Sequence, residues 1–180
     1  LTVSDGITDV TRETGRDNVL TFMLTSLHSG YIHCDLHHGN IMFYPDTIGI
    51  IDFGLVIQLS DVHAELMWII MTSLATHKYD DAATAIIHLL PNDTPFPDSC
   101  QCDLRSFIVH LLNKIIHVHH ACTVMDIYEL NCKLSTYNRL IPPLLVSVAF
   151  ALNAFRGVAR DLQITPSIVL SHSVLKHLKR

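Results

Sequence analysis

The chain has 180 residues, of which 49% are hydrophobic and only 16% charged, against roughly 25% charged in an average globular protein. That balance excludes a disordered tail, and the length suits one domain with its own core or one lobe of something larger. With 17 acidic and 12 basic residues the formal charge is −5, which argues against a nucleic-acid partner, because phosphate neutralisation supplies most of that affinity.

Residues 1–14 read as polar and turn-rich, with Gly6 and Gly15 as breaks. Over residues 16–29, Val19, Phe22, Met23 and Leu27 recur at helical spacing, and Gly30 supplies a C-terminal stop. The period then changes. Short apolar runs at 41–44 and 48–51 flank Pro45-Asp46-Thr47, a turn between two strands. Ser60 is a suitable N-cap for a helix reaching about residue 77, and a second helix follows over about 80–90. After a proline-rich loop at 91–97, Leu104, Phe107, Ile108, Leu111 and Ile115 form a stripe at i, i+3, i+4, i+7 and i+11. Three more helices are expected at about 123–135, 142–160 and 166–178, with Pro142, Pro143 and Pro166 near two of the starts. The expected fold class is mainly α with one small β-hairpin near the N-terminus.

Cys34, Cys100, Cys102, Cys122 and Cys132 are odd in number and contain no C-x-x-C pair. Reduced, mostly buried thiols in a reducing compartment are therefore expected. No basic segment followed by an apolar one reads as a signal peptide. The longest uncharged stretch, 140–155, falls short of the roughly 20 residues that span a bilayer, and it reads as a buried helix.

The chemistry concentrates in His33-Cys34-Asp35-Leu36-His37-His38-Gly39-Asn40 and in Ile51-Asp52-Phe53-Gly54. Phosphoryl transfer from ATP needs Mg²⁺, which prefers carboxylate and amide oxygens, and a carboxylate near the acceptor hydroxyl. An Asp and an Asn five residues apart on one tight loop place a base beside a metal ligand. A second Asp at the end of the following hairpin returns to the same place. The kinase pattern H-R-D-L-x-x-x-N followed by D-F-G is present with Cys34 for Arg. A rival reading is a zinc site of His33, His37, His38 and Asp35, but its order matches no zinc signature and leaves Asp52-Phe53-Gly54 unexplained. His117, His119 and His120 form a second cluster, in which only His117 and His120 share a helix face; they read as partly exposed helix residues.

The two segments resemble the UbiB/ADCK (aarF-domain) atypical kinases, whose loop reads H-A-D-P-H-P-G-N before I-D-F-G. His33, Asp35, His37, Gly39 and Asn40 are kept, while Cys34, Leu36 and His38 replace Ala, Pro and Pro. Asp5-Gly6-Ile7 is similar to the segment after that family's hinge, and residues 149–162, with Arg156-Gly-Val-Ala-Arg160-Asp-Leu, to its C-terminal helix. Leu36 also brings the loop near the H-G-D-L-H-x-G-N of aminoglycoside and choline phosphotransferases, the alternative assignment. The resemblance implies a protein-kinase-like C-terminal lobe with ATP and Mg²⁺ as cofactors. It implies Asp35 and His37 as catalytic residues, Asn40 and Asp52 as the ligands holding Mg²⁺ and through it the nucleotide, and His33, Phe53 and Gly54 as structural supports. Cys34 removes the arginine that reads activation-loop phosphorylation in many kinases, so no such switch is expected.

The five lysines are Lys78, Lys114, Lys133, Lys176 and Lys179, so none precedes the loop, and no two glycines form a G-x-G. The family's Ala-rich nucleotide loop and K-x-G-Q motif are absent, and the chain starts at Leu1 rather than Met. Residues 1–180 are therefore expected to be a single kinase-like C-lobe without its N-lobe: a post-hinge segment and helix at 1–30, the catalytic loop and metal hairpin at 31–59, and a helical body at 60–180. Alone, it is expected to bind nucleotide weakly with negligible turnover. The partners expected are nucleotide, a lipid or small-molecule phosphate acceptor, and a membrane surface in peripheral contact. By resemblance alone, the activity is linked to ubiquinone or other isoprenoid-lipid metabolism in a mitochondrion or another membrane-associated site. A pseudokinase acting as a binding scaffold is the further alternative.

Overall fold

The structure is a computed structural model, and it describes residues 9–91, 97–116 and 124–172. Asp5-Gly6-Ile7, the middle of the 91–97 loop, His117, His119, His120, Cys122 and the end of the 166–178 helix lie outside the described residues.

The first helix, α1 (Asp9–His28), begins well before residue 16 and carries Gly15 inside it rather than at a break. A helix-interior glycine costs about 1 kcal/mol relative to alanine. Here its bareness is used: a Cβ at Gly15 would lie 3.1 Å from two ring carbons of Phe43. The close approach of that ring outweighs the propensity loss.

After Gly30, whose φ of 80° ends the helix in the left-handed region, four short strands follow: β1 (Tyr31–His33), β2 (Ile41–Phe43), β3 (Ile48–Ile50) and β4 (Val56–Gln58). The expected hairpin is β2–β3, with Met42 opposite Gly49 and the Tyr44 N–H donating to Thr47 O at 2.9 Å across the turn. A second antiparallel pair joins β1 to β4, with Ile32 opposite Ile57. The β-structure is therefore two small sheets rather than one hairpin. The outer pair closes the base of the segment, so the loop and the inner hairpin emerge from a fixed stem.

The helical body comprises α2 (Asp61–Ala75), α3 (Tyr79–His88), α4 (Asp98–Lys114) and α5 (Val124–Ser135). Ser60 Oγ accepts the His63 N–H at 3.3 Å and so caps α2. The stripe on α4 points inward: Leu104, Ile108 and Leu111 are buried. They pack with Met67 and Ile70 of α2, Ala82 and Ile86 of α3, and Leu130 and Leu134 of α5 in the larger of two apolar clusters.

The last elements are α6 (Pro143–Asp161) and α7 (Pro166–Ser171), the latter capped by Thr165 Oγ1 accepting from the Ile168 N–H at 3.4 Å. The smaller cluster is Val19 of α1, Leu36 of the loop, Ile41 of β2 and Phe155, Val158 and Leu162 of the α6 end. It holds the candidate loop against two helices. The 140–155 stretch is only partly the buried helix expected. Ala149, Ala151 and Phe155 are buried, whereas Leu140, Phe150 and Leu152 are at least half exposed, because α6 meets the body along one face. No helix among the described residues is long and apolar enough to cross a membrane. Nor are the thiols mostly buried. Cys34 is, but Cys102 and Cys132 are exposed, since Cys102 sits near the start of α4 and Cys132 lies on α5 between the inward Leu130 and Leu134.

Candidate functional site

The stem sets the loop's start. The Cys34 N–H donates to Leu55 O at 2.9 Å, which continues the β1–β4 pairing by one residue and buries the thiol. Burial raises the Cys34 pKa above its ordinary value, partly offset by a backbone hydrogen bond at Ile57. His33, at the end of β1, accepts the Asp35 N–H on Nδ1 at 3.2 Å. Its ring meets Phe53 edge-on at 5.4 Å between centroids and Phe22 of α1 at 6.3 Å. Phe22 and Phe53 also meet, at 6.5 Å. Three rings thus tie α1, the loop and the Asp52-Phe53-Gly54 turn together, each such pair adding about 0.5–1.5 kcal/mol beyond area burial.

Past Asp35, Leu36 drops into the smaller cluster and His37 stays extended, its Nδ1 accepting the Gly39 N–H at 2.9 Å. His37 Nε2 lies 3.7 Å from Asp35 Oδ2. A single 3₁₀ turn, His38–Asn40, then brings the buried Asn40 back over Asp35. Asn40 Nδ2 donates to Asp35 O at 2.8 Å and reaches Asp35 Oδ2 at 3.4 Å. The Asn40 carbonyl accepts the Ile51 N–H at 3.0 Å, so the residue that follows, Asp52, is carried to the loop by the hairpin. Asp52 sits in the left-handed region at φ 58°, where Asp and Asn are enriched among non-glycine residues. Its Oδ1 accepts the Gly54 N–H at 3.0 Å.

The structure therefore brings Asp35, His37 and Asn40 together, and ties the residue before Asp52 to the loop through the Ile51–Asn40 backbone bond. His33 and Phe53 meet edge-on behind, with Phe53 itself more than half exposed. Asp35, Asp52 and Asn40 offer two carboxylates and an amide oxygen, hard donors of the kind Mg²⁺ takes. The histidines do not converge on a zinc position: His33 and His37 spend Nδ1 on backbone N–H groups, and His38 turns to α6. Among the described residues, no three His, Cys, Asp or Glu side chains are grouped to hold a metal.

His38 has a partner that sequence reading did not supply. Its Nε2 lies 3.1 Å from Asp161 Oδ2 on the last turn of α6. Nε2 is buried and lacks a well-aligned acceptor, so the contact is electrostatic more than a linear hydrogen bond. The Arg160 Nε donates to Asp161 Oδ1 at 2.8 Å, and that guanidinium, helped by His38, holds the Asp161 carboxyl below its ordinary pKa. Gly157 makes room for the imidazole; a Cβ there would lie 2.9 Å from His38 Cε1. The only signal in the sequence was the Arg156–Leu162 segment, which names one side of the contact and not the other. Beneath the loop, between α1, α2, α6 and α7, the described residues leave an apolar cavity of about 410 Å³ bordered by Leu27, Leu36, Met67, Met71, Phe155 and Ile164.

Residues 10–86 match the family model of the ABC1 atypical kinase-like domain. An uncharacterized aarF domain-containing protein kinase of Arabidopsis thaliana, described as chloroplastic, is 36% identical over 58 residues. That match covers 32% of this chain and 11% of the relative's length. No solved structure matches.

Proposed function

Starting from residues 10–86 as a stretch similar to the ABC1 atypical kinase-like domain, we propose that the chain is the catalytic half of a UbiB-type atypical kinase or ATPase that uses Mg·ATP. The observation that carries this reading is the contact of Asn40 with Asp35 combined with the Ile51–Asn40 backbone bond. Together they support a site drawing two carboxylates and an amide from the loop and the hairpin that follows it. In this reading Asp35 takes the proton from the attacking hydroxyl as its oxygen bonds to the γ-phosphorus and the bond from that phosphorus to the ADP leaving group breaks, and Asn40 Nδ2 keeps that carboxylate oriented. Asn40 and Asp52 would hold Mg²⁺, which would supply positive charge to offset that of the phosphates. His37 adds a hydrogen-bond donor toward phosphate, and carries charge only when protonated. For the acceptor, the resemblance favours an isoprenoid or other lipid, and the apolar cavity under Leu36 supports trying lipid acceptors first.

The test is Asp52→Asn. Asparagine keeps the left-handed backbone and the oxygen that accepts the Gly54 N–H, and removes only the charge. Titration calorimetry should show weak, Mg²⁺-dependent ATP binding by the chain. In Asp52→Asn that binding should fall by at least about tenfold, with the melting temperature unchanged. Binding that is absent in the parent chain, indifferent to Mg²⁺, or equal in the variant overturns the reading.

A further inference from the structure

We infer that His38 and Asp161 are positioning residues: a clamp between the catalytic loop and the end of α6 that holds Asn40 over Asp35. The consequence for nucleotide rests on the function proposed above; the clamp itself does not. Contacts on both sides of the turn and within it tie the loop to α6. Leu36 before the turn and Ile41 after it pack on Phe155, Val158 and Leu162. Between them, His38 reaches α6 from within the turn, through Nε2 at 3.1 Å from Asp161 Oδ2. The site is shaped for it. Gly157 leaves the space the ring fills, and Arg160 anchors the other carboxylate oxygen at 2.8 Å. Gly39 follows directly, a residue with the least intrinsic backbone restraint, and Asn40 comes next with both bonds to Asp35. With the clamp open, the flexible Gly39 is the hinge about which Asn40 leaves its place.

The backbone also shows what would replace the clamp. His37 is extended, at φ −97° and ψ 172°, the conformation a residue before proline adopts. Position 38 opens a helical turn, where a proline's fixed φ fits. Proline at 38, which the resembled loop pattern carries, would stiffen the turn through its own ring and need no partner on α6.

Amide hydrogen exchange read at Asn40 and Ile41 tests this, because their N–H groups close the turn onto His37 O and His38 O. His38→Ala and Asp161→Asn should each speed exchange there by about tenfold or more, with α3 and α4 amides unchanged, as for a local opening. The double variant should be no faster than either single. His38→Pro combined with Asp161→Asn should return to within about threefold of the parent. Unchanged exchange, additive effects, equal acceleration across α3 and α4, or no rescue by proline overturns the clamp. In parallel, Mg·ATP affinity should weaken in Asp161→Asn. If the parent binds no Mg·ATP, the proposed function fails while the exchange data still decide the clamp.

Discussion

Gly15→Ala sets helix propensity against packing within α1, and the geometry decides which wins. Alanine gains about 0.8–1.0 kcal/mol over glycine in a helix interior. The added methyl, however, would sit 3.1 Å from Phe43 Cδ1 and Cε1 and 3.6 Å from Leu162 Cδ2. Phe43 is held on β2 in register with Ile48, and its ring packs on the smaller cluster, so it has little room to withdraw. Overpacking of this kind costs about 1–3 kcal/mol, leaving a net destabilisation of about 1 kcal/mol. In a Phe43→Leu background the obstruction is gone, and the same Gly15→Ala change should stabilise by about 1 kcal/mol. Urea unfolding of the four proteins in this double-mutant cycle measures a coupling of about 2 kcal/mol between the sites. If Gly15→Ala stabilises the parent chain as much as it stabilises Phe43→Leu, the ring moves freely, and the reason given for glycine inside α1 is wrong.

Two further outcomes follow from the electrostatics and burial. Asp103 accepts hydrogen bonds from Lys133 Nζ at 2.6 Å and from Tyr137, and these hold its carboxyl below the ordinary value. A folded-state value below the unfolded one gives stability that is present above the ordinary carboxylate range and lost as pH falls through the folded value. Asp103→Asn should therefore flatten the parent's loss of urea stability below about pH 4, and an unaltered acid limb would remove this pair from the account. Burial raises the Cys34 thiol, while Cys102 and Cys132 are exposed. Alkylation of the native protein followed by peptide mass spectrometry should label Cys102 and Cys132 well before Cys34; equal labelling would mean that the β1–β4 stem opens readily.

Local signals were legible where the deciding interaction is short in sequence. Ser60 caps its own helix, the stripe from Leu104 to Ile115 is a property of one helix, and the Pro45-Asp46-Thr47 turn sits between the strands it joins. The helical composition and the contact of Asp35 with Asn40 also follow from spacing alone. The misses are all long-range. Three-residue strands such as β1 and β4 are too short to show alternation, and they are strands only because they pair across the intervening loop. Gly15 looked like a break because its partner, Phe43, lies on another element. Cys132 and the outer face of α6 depend on which side of each helix meets the body. His38 showed one half of a contact whose other half, Asp161, lies near the far end of the chain.

That last distance has a consequence during synthesis. The loop holding Asp35 and Asn40 leaves the ribosome long before α6 exists, and at about 5–20 residues per second the wait is on the order of ten seconds. Throughout it, Leu36 and Ile41 have none of their α6 neighbours Phe155, Val158 and Leu162, while the larger cluster of α2–α5 needs nothing from the α6 end to begin forming. The nascent chain thus passes through a stage with a consolidating body and an unassembled site. It is in that interval, before the last long helix docks, that a chaperone would find the most to hold.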